Sequence, residues 1–135
     1  MVKLALALPP YPTEMWRLGA QLGVTQAITG LPRTRPDGLP GYDFMSLLHM
    51  KQRFADAGYE VAGIEGTPLP MEKTKLGLPG RDEEIDAIGR MIENLGAVGI
   101  GLWCYNWMAV FGWLRTSATI PTRGGALVSG YDHAL

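Results

Sequence analysis

Through its first hundred residues the chain alternates short apolar runs with stretches in which apolar residues return every three or four positions. Lys3–Leu8 is apolar after its first residue and is closed by Pro9, Pro10 and Pro12, which continue neither a strand ladder nor a helix interior. That pattern predicts a short buried strand. Thr13 then stands as an N-cap for a helix carrying Glu14, Met15, Trp16, Leu18, Ala20 and Leu22, stopped by Gly23. Val24–Thr29 is the second expected strand. Tyr42–Ala57 sets Phe44, Leu47, Met50 or Lys51, Phe54 and Ala57 on one helical face, and Gly58 ends it. Glu60–Glu65 is the third strand. Asp82, Glu83 and Glu84, just after Pro79-Gly80, suit the positive end of a helix that Ile85, Ile88, Ile92 and Leu95 continue as an apolar stripe. Gly96 and Gly99 stop that helix, and Gly99–Cys104 is the fourth strand.

Between these elements lie breaker-rich loops, Gly30–Gly41 (GLPRTRPDGLPG) and Gly66–Gly80. Strands that are apolar rather than alternating, separated by helices, predict a parallel sheet covered by helices. A doubly wound sheet and a barrel both satisfy that pattern. The long loops all leave the carboxyl ends of strands, where barrel enzymes carry their chemistry, which favours the barrel. A full eight-unit barrel takes about 250 residues. The fold expected is therefore α/β, a partial (β/α)8 TIM barrel of four N-terminal strands with three helices, in a single domain over 1–135. The periodic pattern stops at Thr116, and 117–135 is expected to be an irregular or hairpin-like extension with no stop signal, so the chain reads as the N-terminal half of a longer barrel.

Composition narrows the partners. The 135 residues are 47% hydrophobic and 19% charged, which fits a folded chain and not a disordered one. A net charge of -1, with arginines scattered among loops, provides no basic surface for nucleic acid. The opening MVKLALALPPYP is too short and too proline-bound for a signal peptide, and Ile100–Leu114, interrupted by Asn106, is too short to span a bilayer. The single cysteine, Cys104, forms no internal disulfide and agrees with a cytoplasmic setting.

The candidate chemistry gathers at Gly99–Thr116, GIGLWCYNWMAVFGWLRT, where an apolar strand releases rings and hydrogen-bonding tips. Tyr105 and Trp107 have flat faces suited to a sugar, while tryptophans so spaced also serve as packing between layers. Asn106 can hold a sugar hydroxyl as donor and acceptor, and Arg115 can grip a carboxylate with its fork; the alternative is that both fix loop geometry. Glu65, at the end of the third strand, is a polar candidate or the partner of a loop arginine. Arg33, in the first long loop, either reaches a sugar acid or is a solvated charge. Cys104 reads as a small buried hydrophobe, and His49 and His133 are too far apart in the pattern to share a metal. The glycines of LGAVGIG close a helix instead of opening one, so they are no dinucleotide fingerprint. No His-Glu-x-x-His pair, phosphate-loop lysine or nucleophile elbow occurs.

Four strings, KLGLPGRDEEI (75–85), ENLGAVGI (93–100), CYNWMAVFGWLRT (104–116) and RGGALVSGYD (123–132), resemble the mannonate dehydratase family in wording, order and spacing. The resemblance implies a xylose-isomerase-like barrel that dehydrates D-mannonate to 2-keto-3-deoxygluconate in hexuronate (glucuronate) catabolism, with Mn2+ or Fe2+. It implies metal ligands, histidines with a cysteine and an aspartate, on later strands. No catalytic or metal-binding residue is therefore assigned in this chain, which is expected to bind no metal tightly and to be inactive alone. Ala109 and Gly112 depart from the relatives' CYNFMPVFDW, so no role is carried to position 112. Two other functions fit the same text: a sugar isomerase or epimerase on the same barrel, and a non-catalytic product that self-associates through open sheet edges. The expected partners are a small sugar acid and further copies of the chain, with no nucleic acid and no membrane.

Overall fold

The computed structural model describes residues 2–110 and 112–134. Position 111 of the CYNWMAVFGWLRT string lies outside the described residues. The elements run β1 (Ala5–Ala7), α1 (Glu14–Gln21), β2 (Gln26–Thr29), α2 (Phe44–Asp56), β3 (Glu60–Glu65), α3 (Glu72–Leu76), α4 (Arg81–Ala97), β4 (Trp103–Cys104), β5 (Ser117–Pro121) and β6 (Leu127–Gly130). A 3-10 turn, Arg123–Gly125, joins the last two strands. The first four strands form one parallel sheet in the order β1-β2-β3-β4, and β5 and β6 form a separate antiparallel pair. Consecutive parallel strands joined through helices are the start of a barrel wall, as the sequence pattern predicts.

The core forms where the helices lie on this sheet. Ala27 and Thr29 of β2 and Val61 and Ile64 of β3 are buried, and so are Leu47, Met50 and Phe54 of α2 and Met91 and Leu95 of α4. Each large apolar side chain taken fully out of water contributes about 1.5–3 kcal/mol. Trp16 of α1 stacks on Phe54 with ring centroids 4.0 Å apart, and Tyr59 meets both rings edge-on. The polar atoms of this aromatic group are satisfied: the Trp16 indole donates to the Pro9 carbonyl at 3.0 Å, and the Tyr59 hydroxyl donates to the Trp16 carbonyl. The loop after β1 and helix α1 are thereby fastened to the end of α2.

The helix ends follow from local chemistry. Asp43 caps α2, its carboxylate accepting from the Met45 amide at 2.9 Å. At the other end Gly58 takes φ 83°, which lets the Tyr59 amide reach back to the Phe54 carbonyl at 2.8 Å. The same device closes α4: Gly99 takes φ 75° and the Ile100 amide donates to Leu95 at 2.8 Å.

Several expectations change. β1 is an edge strand whose Ala5 and Ala7 are exposed, so burial begins only at Leu8. The loop 66–80 contains a helix, α3, which lysine and threonine text did not announce. Its first amides are capped from a distance, because Glu84 of α4 accepts from the Thr74 amide at 2.8 Å and from the Thr74 hydroxyl at 2.9 Å. The fourth strand pairs over Trp103–Cys104 alone. The α4 stripe holds only at Leu95, which is buried; Ile85 and Ile92 are exposed, and Met91 and Val98 face the core in their place. Cys104, expected to be buried, is exposed. The tail takes its hairpin form, with Ser117 opposite Gly130 and Pro121 opposite Leu127.

Candidate functional site

Parallel strands deliver their carboxyl ends to one side of the sheet, and the loops after β2, β3 and β4 meet there. Between the first two of these loops lies a cleft of about 400 Å3 whose lining includes Arg33, Thr34, Tyr42, Pro68 and Leu69. Its walls are stiff. Gly41 lies against the Pro32 carbonyl so closely that a Cβ there would stand 1.8 Å from the oxygen. The Arg33 amide donates to the Tyr11 hydroxyl at 2.9 Å, and Asn94 of α4 donates to the Tyr42 carbonyl at 3.0 Å. The β2 loop is thus fastened to the β1 loop on one side and to α4 on the other.

A second cleft, about 350 Å3, is apolar and is formed by Met71, Ile85, Ile92, Trp103, Tyr105 and Trp107 among others. Trp103 is anchored by its indole, which donates to the Gly66 carbonyl at 3.0 Å, and Tyr105 tilts against it with ring centroids 4.8 Å apart. The exposure of Ile85 and Ile92 on α4 explains why isoleucines line this groove.

The residues singled out from the sequence divide into three groups. Tyr105 and Trp107 share the apolar cleft, each about half exposed. Glu65, in register with Cys104, stands at the adjoining strand ends, exposed and in no ion pair among the described residues. Asn106 lies next to them in sequence, exposed, its side chain making no hydrogen bond among the described residues. Arg33 belongs to the other cleft. Arg115 is drawn to the hairpin, donating to the Ser129 hydroxyl at 3.2 Å and the Leu114 carbonyl at 2.7 Å, its guanidinium 5.4 Å from the Trp113 ring centre. Tyr42 and the Pro68–Pro70 stretch were not among the candidates; the prolines after β3 were the available signal.

Electrostatics at these loops are set by short-range pairing. Hydrogen bonds from Arg35 hold the Asp37 carboxyl below its ordinary range, against the opposing effect of desolvation. Among the described residues no three histidine, cysteine, aspartate or glutamate side chains gather to hold a metal ion. The described residues do not by themselves fit a divalent centre. No described helix is long and apolar enough to cross a membrane.

Known proteins place this architecture. The mannonate dehydratase of Streptococcus suis serotype 2 superposes on 99% of the chain with a TM-score of 0.79 at 26% identity, and the chain covers 38% of that protein. The mannonate dehydratase of Brachyspira hyodysenteriae is 38% identical over 87 residues, 64% of this chain and 24% of the relative. That of Thermotoga maritima is 35% identical over 94 residues, 70% of this chain and 26% of the relative. The chain therefore spans about a quarter of the length of the curated relatives it matches. Residues 18–135 match the sequence model of the D-mannonate dehydratase (UxuA) family. With the likeness running through both clefts and the hairpin, the chain belongs to the D-mannonate dehydratase family.

Proposed function

We propose that this chain forms part of the barrel of a hydro-lyase that converts D-mannonate to 2-keto-3-deoxygluconate in the breakdown of hexuronates. The observation that carries the reading is the family match over residues 18–135 on a sheet whose strand-end loops enclose clefts of sugar size. Elimination of water from a sugar acid takes a proton from the carbon beside the carboxylate and releases hydroxide from the next carbon. A base, an acid and a stabiliser for the enediolate are needed.

Within that reaction the described residues bind and orient. Arg33, already lining a cleft at a strand end, grips the carboxylate, and Asn106 holds a hydroxyl with both donor and acceptor. Tyr105 and Trp107 form an apolar wall against the carbon skeleton, with Glu65 at its polar end. Arg115 acts from the hairpin side, where Ser129 positions it. A divalent ion, Mn2+ or Fe2+, would stabilise the enediolate; the described residues offer it no ligand set, so by itself the 135-residue chain is expected to turn over no substrate. The exposed free thiol of Cys104 supports a reducing, cytoplasmic setting. The outer edges of β1 and β4, each paired on one side only among the described residues, support association with further copies.

The test is an assay of the enzyme that carries this chain, supplied with Mn2+, on D-mannonate and on ketose sugars. Formation of 2-keto-3-deoxygluconate, with KM raised about tenfold or more by Arg33→Met, is expected, since removal of a charged hydrogen-bond donor costs roughly 1.5–3 kcal/mol. Turnover of a ketose without turnover of mannonate would sink the reading.

A further inference from the structure

A third cleft, about 350 Å3, adjoins the first strand-end cleft, with which it shares Pro32, Arg33 and Thr34, and lies between the loop after β1, the loop after β2 and the flank of α2. Its polar lining is Tyr11, Arg33, Thr34, Arg35, Ser46, His49 and Arg53, without a carboxylate. Ser46, His49 and Arg53 recur at intervals that put them on one side of α2. Asp37 pairs with Arg35 from the rim, while neither Arg33 nor Arg53 enters an ion pair among the described residues. The cleft therefore carries unneutralised positive charge.

Two further observations point to a ligand. Ser46 is only 4% exposed, and its buried hydroxyl has no hydrogen-bond partner among the described residues. The Nε of Arg53 is likewise buried and without a partner, although the same guanidinium lies 5.1 Å from the Tyr11 ring centre and donates from Nη2 to the Pro10 carbonyl at 3.5 Å. Buried polar groups in folded proteins are normally satisfied, so two orphans in one cleft call for an acceptor. His49, which also lines the cleft, adds a donor. Arginine can only donate, so in its 3.3 Å contact with Arg35 the Nδ1 of His49 accepts, which leaves the proton on Nε2 as a further donor. Serine hydroxyl, arginine Nε and imidazole Nε2 are all donors to one kind of group, an oxyanion.

We propose that this cleft binds the oxyanion head, phosphate or carboxylate, of a small metabolite, on Ser46, His49 and Arg53 of α2, beside the strand-end cleft with which it shares Arg33. Its volume falls within the roughly 300–1,000 Å3 of small-molecule pockets, more than a lone inorganic ion fills. The inference does not depend on which reaction the enzyme performs. Arg33 borders both this cleft and the strand-end cleft.

Isothermal calorimetry of the 135-residue chain at fixed ionic strength, with glucose 6-phosphate, gluconate and inorganic phosphate as probes, tests the proposal. Saturable binding of at least one organic probe is expected, weakened tenfold or more both by Arg53→Met and by His49→Ala. His49 is exposed, so the second variant keeps the fold even where the first, which loses its contact with Tyr11, is less stable. Binding of glucose 6-phosphate alone assigns a phosphate, and of gluconate alone a carboxylate. Absence of saturable binding to every probe, displacement by chloride at equal ionic strength, or affinity indifferent to His49→Ala would each overturn it.

Discussion

At Gly41 a methyl group has nowhere to go, because the nearest atom to its Cβ is a backbone oxygen, that of Pro32, which no side-chain rotation can move aside. Gly41→Ala is therefore expected to push the two arms of the β2 loop apart and to destabilise the chain by about 1–3 kcal/mol. Urea denaturation measures the loss, and a change under 0.5 kcal/mol, the usual scatter of surface substitutions, counts against the close approach. Glu84 is a residue of the opposite kind, fixed by what it accepts. Desolvation pushes its carboxyl up, and hydrogen bonds from Thr74 and Lys73, with the Lys73 charge, more than reverse this, so its pKa lies below the ordinary 4.5. A depressed folded pKa means that the unfolded chain takes up the proton first. The contribution is then present above the unfolded value and is lost as pH falls through the folded one. Followed by NMR, the Thr74 amide shift should titrate with a midpoint below 4.5, and Glu84→Gln should remove that step; a midpoint at or above 4.5 would refute the capping role. Nothing local in KTKLGLPGRDEE marked Glu84 for this, since its partners lie ten residues earlier and meet it only after the chain has turned at Gly77.

Elements were legible where one periodic face met one core. In α2 the spacing places Phe44, Leu47, Met50 or Lys51, Phe54 and Ala57 on one face; Leu47, Met50 and Phe54 are fully buried, while Phe44 and Ala57, at the two ends, are exposed. The helix is held from both ends and from its middle, which makes its contributions separable. Asp43→Ala removes the side-chain cap on the Met45 amide and should cost about 1 kcal/mol, while Phe54→Ala empties the stack against Trp16 and should cost about 3–5 kcal/mol. Thermal denaturation of the two variants checks the order as well as the sizes; equal losses would mean that the aromatic group is not the keystone. The α4 stripe misled because isoleucines at 85, 88 and 92 form as regular a face as the one that is buried. Periodicity identifies an amphipathic helix but not which neighbour each face will meet. The placement of the candidate residues was legible to a similar degree: Tyr105, Trp107 and Arg33 line clefts at strand ends, whereas Arg115 is held by a hairpin that no residue pattern oriented.

On the scale of the whole molecule, the parallel sheet and the hairpin are built on different physical terms. β2 and β3 are covered by helices and hold the buried side chains, whereas β5 and β6 have no buried residue and pair chiefly with each other. Gly130 and Ile120 fit tightly, a Cβ at 130 standing 2.3 Å from the isoleucine tip, and Arg115 ties the base of the hairpin to Ser129. These are local contacts. A two-stranded hairpin without a covered face is marginally stable in water at best. Amide protection reports the free energy of the opening that exposes each group, and that free energy ranges from near zero to the global value. In the 135-residue chain the amides of Ile64 and Leu8, which bond to Leu102 and Ile28, should exchange only on global unfolding, and those of Thr116 and Thr122 through local opening of the hairpin. Hydrogen exchange at increasing low urea separates the two: the sheet amides should show the full denaturant dependence of unfolding and the hairpin amides almost none. Matching slopes would show instead that hairpin and sheet unfold as one unit, and Arg115 would then act as a link in the core structure and not as a side chain free to turn toward a sugar acid.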